Sequence, residues 1–158
     1  MDHDLIAQLF SKYYNDVLLY AMSLAKNVSE AEDLASEAFY RALRTADGEV
    51  ENFKAWILAV CRNLYFNHRR KRARLAELPD EIADKRDCVL DKIMQDDNYR
   101  ALYRAIELLP SNLKEIIVLF YFEDMKVQTI AKIVGKSESN VKVMLYRGRE
   151  QLRNILEK

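Results

Sequence analysis

Three glycines and two prolines are all that punctuate a chain of 158 residues. Average usage would supply about 11 glycines and about 8 prolines in that length. Glycine gives left-handed turns and proline ends regular pairing. A chain this poor in both cannot make the many tight turns of an all-β fold, nor Gly-rich phosphate loops. Long helices are what remain. Half of the residues are apolar and 32% are charged, enough for packed cores and too apolar for a disordered chain. No apolar run approaches the ~20 residues of a membrane span, and Met1-Asp2-His3-Asp4 lacks a signal-peptide layout, so no direct membrane insertion is expected. Cys61 and Cys88 form no CxxC pair and no disulfide framework. A reducing cytoplasm is the expected location.

Apolar periodicity predicts the helices. Leu5, Leu9, Tyr13, Val17 and Ala21 recur every four residues, flanked by Ile6, Phe10 and Leu18, which predicts an amphipathic helix to about Ala25. Ser29, three before Glu32, predicts a capping box for a second helix to about Thr45. Its buried side would be Leu34, Ala35, Ala38, Ala42 and Leu43, and its other side shows Asp33, Ser36, Glu37 and Tyr40. Asp47-Gly48 marks a turn, and Asn52 is the expected cap of a long third helix beginning at Phe53. Asn63, Asn67, Arg70 and Arg74 share one face of it. After Leu75 the pattern fails. Leu78-Pro79-Asp80 and the acids around it read as a linker over 77–92, with periodicity resuming near Asp91. Leu102, Ile106 and Leu109 predict a helix that stops at Pro110, and Ser111 or Asn112 would cap the next. Glu123-Asp124 predicts a break after it, and Ser137 is the expected cap of the last helix, from Glu138 to about Leu156. The expected architecture is all-α: two small helical domains, 1–76 and 93–158, joined by that short acidic linker.

Charge follows the same division. Lys+Arg and Asp+Glu both number 25, so the formal net charge is zero. Residues 62–74 nevertheless carry six bases and no acid, residues 77–97 eight acids and three bases, and residues 126–149 six bases and one acid. Either basic block alone reads equally well as a solvated helix face. Two of them, separated by an acidic connector, point to an extended polyanion with two footprints.

The second basic block has the layout of a helix-turn-helix. Ala131 is the small residue where two helices touch, Gly135 can take the positive φ of the turn, and Val141 faces back into the pair. Val141, Leu145, Gly148 and Leu152 form an inward seam. Ser139, Asn140, Lys142, Val143, Tyr146 and Arg147 are left outward, a face suited to phosphates and base edges in a major groove. On the third helix, Trp56, Tyr65 and Phe66 interleave with the cations as stacking platforms would. Trp56 also falls on the apolar stripe of that helix, Phe53, Trp56, Ile57, Val60, Cys61 and Leu64, where a core role is the simpler reading.

Catalysis has little support. The two histidines, His3 and His68, lie in a terminus and a basic run, and no HExxH, GxSxG or P-loop pattern occurs. Cys61 reads as a small core residue and Cys88 as a thiol among acids. No enzyme activity, metal or cofactor is expected.

Taken together, these residues resemble a known family. Glu30-Ala31-Glu32-Asp33-Leu34-Ala35-Ser36-Glu37-Ala38-Phe39, then Phe53-Lys54-Ala55-Trp56-Ile57 and Arg62-Asn63, resemble region 2 of bacterial extracytoplasmic-function (ECF) sigma factors of the sigma-70 family. Leu109-Pro110 through Leu152-Arg153 resembles their region 4, including Tyr146-Arg147-Gly148-Arg149-Glu150-Gln151. The resemblance implies an RNA polymerase sigma factor that binds core RNA polymerase and directs promoter recognition, melting and initiation. Asp33, Ser36 and Glu37 would dock on the clamp of the largest polymerase subunit. Lys54, Arg62, Asn63, Asn67, Arg69 and Arg70 would engage the −10 element of promoter DNA, with Asn63 matching a base-contacting asparagine. Ser139, Asn140, Lys142, Val143, Tyr146, Arg147 and Arg149 would engage the −35 element. The acidic linker would lie in the polymerase's basic channels, and an anti-sigma factor, membrane-bound in many relatives, is the implied inhibitor. The chain departs from the family at Asn67, often Asp; at Lys136, commonly apolar; at Val143 and Met144, frequently Ser and Arg; and at Gly148, commonly Ala, which should cost its helix about 1 kcal/mol. Two rival readings stay open at the level of sequence: a stand-alone helix-turn-helix regulator and a helical adaptor that binds only proteins.

Overall fold

A computed structural model of the chain describes residues 3–45, 52–75 and 84–157. Among these residues regular structure is helical, and the chain divides into two compact units, Met1–Arg86 and Asp87–Lys158. The all-α, two-unit class read from the sequence holds. The Asp47-Gly48 turn and the Leu78-Pro79-Asp80 part of the linker lie outside the described residues.

The first unit is built on α1 (His3–Leu24), α2 (Val28–Arg44) and α3 (Phe53–Leu75). The stripe predicted on α1 is only half real: Val17 and Ala21 are buried, Leu9 and Tyr13 are half-buried, and Leu5 is exposed. The reason is geometric. A four-residue step overshoots the helical repeat by about 40°, so Leu5 and Ala21 stand about 160° apart. Burial instead concentrates in the continuous apolar run Val17–Met22, the mark of a helix segment enclosed on all sides.

Helix α2 starts two residues earlier than the capping box at Ser29 predicts. Asn27 is the cap: its Oδ1 accepts the Glu30 N–H at 2.8 Å, and Glu30 Oε2 reaches back to the Lys26 N–H at 3.4 Å. Ser29 lies inside the first turn and is exposed. The alanines at 31, 35, 38 and 42 are all buried, and these small side chains let α1 and α3 approach. Leu34 is buried as expected and Leu43 half-buried, while Phe39 is a further core residue beyond the predicted set. Asn52 caps α3 as predicted, accepting the Ala55 N–H at 3.2 Å. Phe53, Ile57, Cys61 and Leu64 line the buried side of α3.

Helix α4 (Arg86–Ile93) begins inside the segment expected to be linker, five residues before Asp91. Arg86 donates from its guanidinium to the carbonyls of Met22 and Ala25 and pairs with Asp84. It thereby satisfies carbonyls that the end of α1 leaves without intrahelical partners.

The second unit continues with α5 (Asp97–Ile106), α6 (Ser111–Ile117), a π-helical turn (Val118–Phe122), α7 (Val127–Val134) and α8 (Glu138–Leu156). The expected cap at Ser111 or Asn112 is not found. Both residues are already helical, and the Pro110 carbonyl accepts the Leu113 and Lys114 N–H groups. The chain turns where Glu123-Asp124 predicted a break, with Asp124 at φ 54°. Gly148 is buried, and a Cβ there would lie 2.8 Å from Ile117 Cγ1. Glycine is thus what lets α8 sit against α6.

Candidate nucleic-acid interface

Helices α7 and α8 form the predicted helix-turn-helix. Ile130, Ala131, Val134 and Val141 are buried in the pair. Gly135 ends α7 at φ 69°, and the Lys136 N–H returns to the Ala131 carbonyl at 3.0 Å, a Schellman closure. Lys136 itself is exposed, so its charge costs the turn no burial. Ser137 caps α8 as predicted, its Oγ accepting the Asn140 N–H at 3.1 Å. The seam of Val141, Leu145, Gly148 and Leu152 is buried.

That seam fixes the other face. Ser139, Asn140, Lys142, Val143, Tyr146 and Arg147 are all exposed, Tyr146 at 64% and Val143 at 46%. Two large exposed side chains on a cationic face suit apolar contact with base edges. Met144 is buried, so it is a packing residue, not part of that face. Arg149 is exposed and also tied down within the unit. Its Nε donates to Tyr121 Oη at 2.6 Å, and its guanidinium carbon lies 5.6 Å from the ring centres of both Phe120 and Tyr121. Sequence reasoning missed Tyr121 and Phe120, because a bond 28 residues apart across two helices leaves no periodic trace.

On α3, Asn63, Asn67, Arg69 and Arg70 are exposed. Asn67 accepts a hydrogen bond from Arg70. Lys54 and Arg62 are half-buried and engaged: Lys54 Nζ lies 3.8 Å from Asp16, and Arg62 stacks 4.6 Å over Phe66. Trp56 is half-buried beside Phe53, ring centres 5.8 Å apart. This fits the core reading better than a free stacking platform. Tyr65 and Phe66 remain half-buried on the cationic helix.

The face of α2 that carries Asp33, Ser36 and Glu37 borders this basic helix directly. Asp33 and Ser36 are exposed. Glu37 is partly buried: His68 Nε2 lies 3.0 Å from its Oε2, and Arg41 lies 3.8 Å from Oε1. Arg72 pairs with Glu30 at 2.9 Å. The acidic and basic faces of the first unit therefore meet, through the Glu30–Arg72 ion pair and through the contact of Glu37 with His68, a residue to which the sequence reading gave no role. Tyr14 of α1 joins α2 from the other side through a hydrogen bond with Ser36. Burial, then the charge of Glu32, pushes its phenol above the ordinary value, and the Ser36 bond partly opposes this. A groove between α2 and α3 is lined by Arg41, Asn67, His68, Arg70 and Lys71.

The family model for sigma-70 region 2 matches residues 9–75, covering α1 to α3, and that for sigma-70 region 4 matches residues 99–152, covering the helix-turn-helix. The chain belongs to the sigma-70 family, as a sigma factor of the ECF type. The ECF RNA polymerase sigma factor SigM of Bacillus subtilis is 27% identical over 153 residues, spanning 95% of this chain and 94% of the relative. The RNA polymerase sigma factor SigV of the same organism is 29% identical over 158 residues, spanning 98% and 92%. Among solved structures, the sigma factor RpoE from Bartonella quintana, in complex with the anti-sigma factor NepR, shares the fold at a TM-score of 0.72 and 21% identity, covering 96% of each chain. CnrH, in complex with the cytosolic domain of CnrY, does so at 0.67 and 19%, covering 99% of this sigma factor and 90% of that chain. Among the described residues no helix of the sigma factor is long and apolar enough to cross a membrane.

Proposed function

We propose that this ECF sigma factor binds core RNA polymerase in the cytoplasm and supplies promoter recognition in two places. Residues 1–76 act as region 2, residues 77–92 as a connector and residues 93–158 as region 4. Asp33, Ser36 and Glu37 meet the polymerase. Lys54, Arg62, Asn63, Asn67, Arg69 and Arg70 engage and help open the −10 element. Ser139, Asn140, Lys142, Val143, Tyr146 and Arg147 read the −35 element, with Arg149 at its edge. The observation that carries this reading is that the two sigma-70 regions fall in family order, one in each compact unit. Each unit also presents an exposed cationic helix.

An anti-sigma factor is the proposed restraint, supported by the fold shared with RpoE, which was solved with NepR. The exposed face of α2 is a surface such a protein would cover. The protein acts as a specificity subunit and performs no chemistry of its own. The test is reconstitution: the purified chain is mixed with core polymerase and promoter fragments, and transcripts are mapped. Initiation that depends on both the chain and the promoter is expected. Stable association with polymerase without initiation, or tight DNA binding without association, would overturn the proposal.

A further inference from the structure

We infer that Arg149 is a phosphate clamp held in place by Tyr121, and that it sets affinity for the upstream element without reading its bases. The inference rests on the reading of α8 as the groove-entering helix and assigns a role within it. Lys142, Tyr146 and Arg149 follow at i, i+4 and i+7, so Arg149 continues the outward stripe. It stands roughly three turns beyond Glu138, about 16 Å along the axis. The major groove is about 12 Å wide, and a recognition helix contacts base edges with its N-terminal residues. The position of Arg149 is therefore at the groove's edge, where the backbone runs.

Its surroundings suit that task. The Nε–H is committed to Tyr121 Oη at 2.6 Å, and the guanidinium sits over the rings of Phe120 and Tyr121. This uses one of five N–H donors. A guanidinium gripped at Nε can still present its two terminal nitrogens to a phosphate, in a bidentate fork whose orientation is already fixed. Tyr121 touches no DNA in this account. It is a positioning residue that acts through Arg149, carried on the π-helical turn next to α7 and 44% exposed.

The test uses the full chain assembled with core polymerase. The probe is the duplex that this holoenzyme recovers most strongly from a randomised pool, with single-base variants of its upstream element. Affinities are measured across a salt series. Losing one phosphate contact should reduce the magnitude of the salt slope by about one and weaken binding by about fivefold at 0.15 M salt. Arg149→Ala should do both, equally on every duplex, so the ranking of base variants is unchanged. Arg149→Lys should keep the slope and lose affinity, because an ammonium supplies the charge without the gripped fork. Tyr121→Phe should lose less than Arg149→Ala at an unchanged slope, and should add no loss when combined with Arg149→Ala. Thermal unfolding of each variant accompanies the series. A re-ranked set of base variants would make Arg149 a base reader and overturn the inference. So would an affinity loss with no change of slope in Arg149→Ala, or an independent loss from Tyr121→Phe in the Arg149→Ala background. Arg147→Ala is the separate control: unchanged ranking in that variant would overturn the placement of α8 in the groove instead.

Discussion

At Gly148 two single-residue effects oppose each other. Glycine costs a helix interior about 1 kcal/mol relative to alanine. A Cβ would fall 2.8 Å from Ile117 Cγ1, and Ile117 is fully buried with little room to yield. Overpacking of this kind costs about 1–3 kcal/mol. Gly148→Ala should therefore destabilise the second unit by about 1 kcal/mol in urea unfolding. In an Ile117→Ala background, where the obstructing atoms are gone, the same change should stabilise it. The spacing of Gly148 on the inward seam was legible in the sequence, but the reason for glycine was not, because it depends on an atom of another helix. Arg147, exposed on the outward face of α8, has a different signature. Arg147→Ala should cost about 1–3 kcal/mol of discrimination at the upstream element and leave core-polymerase binding unchanged. Measured losses in both would contradict the role given to α8. Asn63, exposed on α3, makes the matching case for the downstream element: Asn63→Ala should impair −10 discrimination or strand opening, which permanganate footprinting of the holoenzyme would read directly.

Among the elements, the helix starts separate what local sequence decides from what tertiary structure decides. Asn52 and Ser137 cap α3 and α8 as their sequences predict. At α2 a serine with a glutamate three residues on is a good local signal, yet Asn27 with Glu30 is an equivalent one two residues earlier, and it prevails. Burial of Val28 helps explain the choice, since starting the helix there seats that side chain in the core. Asn27→Ala should cost about 1 kcal/mol in unfolding experiments, and Ser29→Ala should cost nothing, since Ser29 is an exposed helical position where alanine is the better helix former. Equal losses would return the cap to Ser29. On α1 the four-residue pattern located the helix but only part of its buried side, because it drifts around the helix, and the buried run Val17–Met22 marks the core more closely. The outward face of α8 was fully readable because the seam behind it is regular. The pairing of Glu37 with His68, and of Arg149 with Tyr121, was not readable, because each joins helices at a sequence separation no periodicity reports.

For the whole molecule the zero net charge is a cancellation. Six bases without an acid lie over 62–74, and eight acids against three bases over 77–97. Residues 126–149 then carry six bases against one acid. Within the first unit one of those bases is neutralised locally, since Arg72 of the basic helix pairs with Glu30. Each unit is small, and a small unit presents a modest surface and binds weakly alone. Joining two weak modules raises the effective concentration of the second once the first is bound, provided the geometry allows both to engage. In this account the polymerase supplies that geometry, and the neutral chain avoids indiscriminate DNA binding until then. The most direct test is the affinity of one promoter duplex for the free chain and for the chain with core polymerase, both at about 0.15 M salt. Free-chain binding is expected in the non-specific range of roughly 10⁻⁴–10⁻⁶ M, and holoenzyme binding at about 10⁻⁸ M or tighter. Nanomolar, promoter-specific binding by the free chain would contradict it.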